Sequence, residues 1–466
     1  MTESLEPVIL TIFGITGDLA KRKVLPAIYH LFKDGLLPEK TIIVGTSRRT
    51  MTSDELLSQV EICVLETDKV CDPEVLQRLK QNLRMVQMEP TNAADYQKLH
   101  ETLDAIETEQ GTCMHRLFYL SIPPQVYAPV IRLLGEQGLN KGCQHGTADS
   151  RLLVEKPFGY DLVSAQELIT LTNNAFSEDQ VFRIDHYLAK ETAQNILTFR
   201  ADNPLFNELW NSQHISTIEV RALEQIGIEG RADFYEHVGA LRDLVQSHLL
   251  QLLSLTTMEL PAEDFDSQQV HANKQQLLDS IAPVPADKVA SRVVRGQYDS
   301  YRTEVGNADS ETETFVSLLL TSQHQRWEGT TFQLTTGKAL AEKRTEIIVT
   351  FGQGTKMNSL TFRNQPDEGI TVTVSVKKPG FSNQVEATSL DFTYQTQLAD
   401  TNHPDAYERV LVDAIRGDHT LFATNQEVLS AWRILQPILD AWQRGEGPLS
   451  SYRTGSTGPD ISKLMR

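Results

Sequence analysis

Four short stretches early in the chain, residues 8–13, 41–45, 117–120 and 152–154, are apolar or aromatic along almost their whole length. A strand with one wet face alternates apolar with polar residues, whereas a strand that is apolar throughout has to be covered on both faces. The stretches between them carry helical spacing, as in Leu19, Val24, Leu25, Ile28 and Leu31 after the first run. Buried strands separated by helices predict a parallel sheet covered on both faces, a doubly wound Rossmann-like α/β domain.

The pattern changes after about residue 185. Residues 189–200 and 240–256 have helical spacing, and residues 315–320, 332–335, 346–351 and 370–376 read as strands joined by polar or Gly-rich turns without intervening helices. That arrangement predicts a large, mainly antiparallel sheet. Two final helices are expected near 405–416 and 425–444, and the acidic stretch 301–313 reads as an irregular connection. The fold class expected is therefore α/β followed by α+β, with domains at 1–185 and 186–466.

With 466 residues, the chain is long enough for two or three domains. Its net charge of −19 argues against nucleic acid or an anionic membrane surface as the main partner, because the global field repels both. A phosphorylated substrate requires a local cluster of Lys, Arg or His. The four cysteines, Cys63, Cys71, Cys113 and Cys143, lack metal-ligand spacing and are expected as free thiols in a reducing cytosol. The first residues lack a basic, apolar leader, and no window approaches the roughly 18–20 apolar residues of a membrane span. The expectation is a cytoplasmic, soluble protein with no metal site.

The first strand runs into Gly14-Ile15-Thr16-Gly17-Asp18-Leu19. A glycine at a strand-to-helix turn lets backbone approach a pyrophosphate, and the helix start offers N–H groups and a favourable dipole. A G-x-x-G alone is also compatible with a plain tight turn. The second strand ends Gly45-Thr46-Ser47-Arg48-Arg49, with no carboxylate until Asp54. NAD-binding folds place an acid there for the ribose hydroxyls. Two guanidiniums instead favour the 2′-phosphate of NADP, the alternative being solvated loop arginines. Ser121-Ile122-Pro123-Pro124 should form a rigid loop over the cofactor. Lys156, in Glu155-Lys156-Pro157-Phe158-Gly159, should face the same crevice, and Pro157 is a candidate for a cis bond.

Two further segments concentrate reactive groups. Arg183-Ile184-Asp185-His186-Tyr187-Leu188-Ala189-Lys190-Glu191 follows a short apolar run, and Arg242-Asp243-Leu244-Val245-Gln246-Ser247-His248-Leu249-Leu250 lies in a predicted helix. Together they offer acids, imidazoles and a lysine, enough for proton abstraction and for holding an anion. By local pattern alone the first could be a solvated strand end and His248 a core-facing helix histidine. In an α-helix, five residues separate Asp243 from His248 by about 140° of arc, so they need not share a face.

Taken together, these segments resemble the glucose-6-phosphate dehydrogenase family. The matching pieces are G-x-T-G-D-L-A-K-R-K at 14–23, E-K-P-F-G at 155–159, R-I-D-H-Y-L-x-K-E at 183–191, R-D-L-V-Q-S-H-L-L-Q at 242–251, G-K-A-L-x-E-K at 337–343 and Y-x-x-G-S-x-G-P at 452–459. They span nearly the whole chain in the family's order. Ala189 stands where the family usually has Gly. The resemblance implies NADP-linked oxidation of glucose 6-phosphate to 6-phospho-D-glucono-1,5-lactone, the first step of the oxidative pentose phosphate pathway. It implies His248 as general base oriented by Asp185, with His186, Tyr187 and Lys190 on the substrate phosphate and Lys156 near sugar hydroxyls and nicotinamide. Glu224 and Asp243 would accept from sugar hydroxyls, and Lys338 and Lys343 would reach the substrate from the second sheet. By local pattern, Glu224 and Lys338 are ordinary surface residues, and Lys343 and Arg344 could exchange roles. Gly14, Thr16, Gly17, Asp18, Leu19, Lys23, Arg48 and Lys156 would hold the cofactor, with Arg49 assisting. The second domain would bind substrate and form a homodimer or homotetramer through its sheet.

Two other readings compete. Sugar or amino-acid oxidoreductases of similar two-domain build share an E-K-P loop, but that class does not predict D-H-Y-L-x-K-E together with R-D-x-x-Q-x-H. A non-catalytic nucleotide sensor would be expected to lack His248, Asp185, His186 or Lys190, and all four are present.

Overall fold

The computed structural model describes residues 5–68, 72–143, 146–261, 266–354, 356–397 and 404–465. It divides into two compact units. The first comprises Met1–Gly159, Val163–Ala189 and Pro404–Asn425, the second Tyr160–Leu162, Lys190–His403 and Gln426–Arg466.

The first unit is built on β1 (Val8–Phe13), β2 (Thr41–Ser47), β3 (Leu83–Gln87), β4 (His115–Leu120), β5 (Ser150–Val154) and β6 (Val181–Ile184). They lie parallel in the order β6-β5-β4-β1-β2-β3, and the two-residue strand Phe422–Ala423 pairs antiparallel on the β6 edge. Every residue of β1, β2, β4, β5 and β6 is buried, as their mainly apolar runs demand, and polar members such as Thr11 and Arg116 are buried with them. Leu10, Ile12, Ile28 and Leu117 share one core with Leu411 and Ile415 of the helix Ala406–Arg416. That helix was expected in the second domain. It belongs instead to the first unit, where the Arg151 guanidinium donates to the carbonyls of Ala414 and Ile415, both at 2.7 Å.

The cysteine expectation is also corrected. Cys113 and Cys143 form a disulfide between the approaches to β4 and β5, with Cα atoms 5.7 Å apart. The two are 30 residues apart in sequence, so no local spacing betrays the pair. The side chain of Cys63 and the whole of Cys71 lie outside the described residues.

The second unit holds β7 (Ile215–Leu223), β8 (Val293–Tyr298), β9 (Phe315–Thr321), β10 (Thr331–Gly337), β11 (Arg344–Gln353), β12 (Lys356–Gln365), β13 (Gly369–Lys377) and β14 (Val385–Thr393). They form a nine-stranded sheet in the order β14-β13-β12-β11-β7-β10-β9-β8, completed by Leu449–Tyr452. Pairing is antiparallel except at β7/β10 and at β8 with Leu449–Tyr452. The helical segments Leu241–Leu249 and Leu250–Thr257 run on from one another, and the first packs on β7 and β10. The stretch expected as an irregular connection contains a short helix, Tyr301–Val305, and ends in the buried Ser310 and Glu313.

Candidate active-site residues

In the first unit the predicted residues collect at the C-terminal ends of the parallel strands, where open α/β sheets bind ligands. Strand order reverses at β1, which lies between β2 and β4. There Gly14 (φ +75°) meets the loop after β4: a Cβ on Gly14 would stand 2.5 Å from the Ser121 carbonyl oxygen. Gly14 is thus required first by backbone packing and a left-handed turn. The Gly17 N–H donates to the Gly14 carbonyl at 2.8 Å, closing the turn. A helix starts at Asp18, so its first turn opens on this loop, with Thr16 and Leu19 partly exposed and Lys23 exposed. Arg48 and Arg49 are exposed just beyond β2, with the Arg49 N–H held by Ser47 Oγ at 3.2 Å. A tight glycine turn, a helix start and two arginines on one sheet edge fit a phosphorylated dinucleotide.

Around β5 and β6 the same edge becomes acidic and aromatic. The Glu155 carboxylate accepts from Tyr119 Oη at 2.6 Å and is also hydrogen-bonded to the Tyr407 phenol. Burial lifts Glu155 to about 7; the Tyr119 bond and the Lys156 charge oppose this, while Asp185 adds to it. Lys156 follows, and its bond to Pro157 is cis. Asp185 is buried and turns its own loop, accepting the Tyr187 N–H at 3.0 Å. The half-buried His186 lies nearly parallel to Tyr407, with centroids 6.4 Å apart, and edge-on to Tyr187 at 4.9 Å. Ala189 is buried in the unit's core, so its methyl is packed rather than solvated.

The second unit gathers another set. Parallel pairing sets Leu223 of β7 opposite Gly337 of β10, so the next residues, Glu224 and Lys338, emerge side by side. They form an ion pair at 2.5 Å. Lys338 is only 2% exposed, which corrects its reading as a surface lysine, and its ammonium stands 5.3 Å from the Tyr235 ring centroid. Burial, and then the charges of Asp243 and Glu313, push the Tyr235 phenol well above its usual range. Sequence reasoning missed Tyr235, because nothing in residues 232–240 singles it out.

Leu241–Leu249 is a π-helix. Its hydrogen bonds span five residues rather than four, which returns residue i+5 nearly above residue i. Asp243 and the fully buried His248 therefore share a face, contrary to the α-helical expectation. Lys190 precedes the helix Glu191–Asp202 and donates to the Asn364 carbonyl at 3.4 Å. Lys343 is exposed in the turn before β11, while Arg344 pairs with Glu342 and Glu346. No cluster of three or more metal-binding side chains occurs among the described residues. Among those residues no helix is long and apolar enough to cross a membrane.

Two family profiles cover the chain: the NAD binding domain of glucose-6-phosphate dehydrogenase matches residues 11–195, and the C-terminal domain matches residues 197–466. The chain belongs to the glucose-6-phosphate dehydrogenase family. It is an oxidoreductase with a nicotinamide-cofactor domain. A glucose-6-phosphate 1-dehydrogenase of Chlamydia pneumoniae is 38% identical, covering 97% of this chain and 93% of its own. That of Bacillus subtilis is 35% identical over 97% of this chain and 95% of its own. A solved glucose-6-phosphate dehydrogenase in complex with glucose 6-phosphate superposes with a TM-score of 0.91 at 32% identity, covering 100% of this chain and 98% of that one. KijD10, a 3-ketoreductase from Actinomadura kijaniata, shares the fold at a TM-score of 0.53 and 13% identity.

Proposed function

We propose that this enzyme oxidises D-glucose 6-phosphate at C1 to 6-phospho-D-glucono-1,5-lactone, with NADP as its cofactor. The observation that carries this reading is the full-length likeness to a dehydrogenase solved with that sugar phosphate. A bound NADP would supply the hydride acceptor, held by Gly14, Thr16, Gly17, Asp18, Leu19, Lys23, Arg48 and Lys156. NADP is preferred to NAD because arginines, not a carboxylate, follow β2.

His248 takes the C1 hydroxyl proton, since a neutral imidazole suits proton abstraction near pH 7. Asp185 fixes its tautomer and stabilises the imidazolium. His186, Tyr187 and Lys190 bind the phosphate through charge-assisted hydrogen bonds. Lys156, Glu224, Asp243, Lys338 and Lys343 bind the sugar. The enzyme is placed in the cytoplasm, where this cofactor and sugar phosphate are both available, with neither nucleic acid nor membrane as a partner. It assembles as a homodimer or homotetramer. Supporting this, the hairpin β13–β14 leaves Val376 of β13 and Val385 and Leu390 of the edge strand β14 exposed, apolar residues that a second copy would cover.

Purified protein mixed with glucose 6-phosphate and NADP+ or NAD+ should reduce NADP+ faster. His248→Asn should lower turnover by about 10²- to 10⁴-fold. Absence of reduction with either cofactor would overturn the reading.

A further inference from the structure

The first unit contains a buried acid for which the proposed chemistry has no use. Glu155 ends β5 immediately before Lys156, and it is hydrogen-bonded to two phenols brought from distant elements, Tyr119 of β4 and Tyr407 of the helix Ala406–Arg416. β5 and β6 are in register at Val154 and Arg183, which sets Glu155 near Asp185. Tyr407 in turn stacks on His186. Four groups assigned to substrate or base thus have this carboxyl as a neighbour or lie one contact away: Lys156, Asp185, His186 and Tyr187.

We propose that Glu155 is a positioning residue for the reaction: through Tyr119 and Tyr407 it fixes the strand end and the His186 ring, and by gaining or losing its proton it sets the charge beside Lys156 that an anionic substrate meets. This rests on the substrate reading given above. The titratable groups facing Glu155 within the unit are Tyr119, Tyr407, Lys156 and Asp185, and Tyr127 bears on both phenols. Both phenols are pushed far above neutrality, mainly by burial, so across pH 6–9 they remain proton donors. The carboxyl is pushed up to about 7, mainly by burial. Below that pH Glu155 is neutral and does not oppose the Lys156 charge. Above it a new negative charge stands beside Lys156 and Asp185, which disfavours binding of a phosphate dianion.

The test is the pH dependence of KM for glucose 6-phosphate, followed by NADP+ reduction from pH 6 to 9. In the parent enzyme KM should rise about five- to tenfold through pH 7, the size of one added charge at partly screened distance. In Glu155→Gln, which keeps the acceptor oxygen but cannot ionise, KM should stay level over the same range. The phosphate's own second ionisation near pH 6 is common to both enzymes and cancels in the comparison. A KM that climbs equally in Glu155→Gln overturns the proposal. If that variant does not fold, Tyr407→Phe decides the matter: loss of a bond that favours the carboxylate should move the KM step upward by about half to one pH unit, and an unmoved step overturns the proposal. A parent enzyme that never reduces NADP+ with this sugar phosphate would instead refute the substrate reading.

Discussion

Glu313 accepts the backbone N–H of Leu241 through Oε1 at 2.9 Å, so a carboxylate 72 residues downstream caps the helix that carries Asp243 and His248. The Ala240 N–H donates to the Glu313 carbonyl, also at 2.9 Å. This approach is possible because Gly239 has no side chain: a Cβ there would lie 2.5 Å from Glu313 Oε1, and its φ of 68° with ψ of 173° is a region open essentially to glycine alone. Gly239→Ala should therefore cost about 2–4 kcal/mol, combining backbone strain with the displaced cap. Glu313→Gln, which keeps an acceptor, should cost less. Urea melts of both variants check the order, and a Gly239→Ala protein as stable as its parent would refute the relationship.

A second prediction concerns Glu427, which is wholly buried and bonded to Lys274 and His271, both at 2.8 Å. Burial alone would raise its carboxyl, but the Lys274 charge and the His271 bond outweigh burial and hold it at about 2. A carboxyl depressed in the folded state contributes stability that is full above its unfolded value and is lost as pH falls from about 4.5 toward 2. Lys274→Met removes the cation paired with that buried charge, leaving it only the bonds from His271 and Gln251, and should cost about 3–5 kcal/mol at pH 7. The double variant Lys274→Met/Glu427→Leu should recover most of the loss. Additive losses in chemical denaturation would show the pair to be independent.

The proposed preference for NADP rests on Arg48. On that proposal Arg48→Ala would remove a charge-assisted contact to a 2′-phosphate, worth about 1.5–3 kcal/mol, so the ratio of kcat/KM for NADP to that for NAD should fall about 10- to 100-fold. A variant that loses both activities equally would assign Arg48 to structure instead of selectivity.

Closing the 30-residue separation between Cys113 and Cys143 should stabilise the first unit by about 3–4 kcal/mol. Cys143→Ser, or a strong thiol reductant, should lower the melting temperature accordingly. Alkylation followed by intact mass reads the bond directly, and two freely alkylated thiols in the native protein would restore the sequence expectation.

How much was legible depended on how local each signal is. The parallel strands announce themselves because burial on both faces makes runs such as Val8–Phe13 apolar at all but one position, the buried Thr11. β7 was missed because Ile215–Leu223 interleaves Ser, Thr, Glu and Arg with its apolar residues, as befits a strand whose two faces differ in burial. The buried state of Lys338 depends on Glu224, 114 residues away, and on a parallel register that no local pattern encodes. The shared face of Asp243 and His248 was hidden by the assumption of α-helical pitch. Glu155 stood in plain view within E-K-P-F-G, but its two phenolic partners come from positions 119 and 407.

The return of residues 404–425 to the first unit has a consequence for how the chain is made. Phe422 and Ala423 close the β6 edge, Phe422 stands edge-on to Phe182 with centroids 4.9 Å apart, and the Asn425 N–H donates to Glu178 at 2.8 Å. During synthesis, which runs from the N-terminus, this sheet begins first yet waits for more than four hundred residues before its last strand emerges. Until then the β6 edge stays open, and Arg151 lacks the carbonyls of Ala414 and Ile415 that receive its guanidinium. The half of the protein that starts earliest is the half that cannot finish until almost the whole chain has left the ribosome.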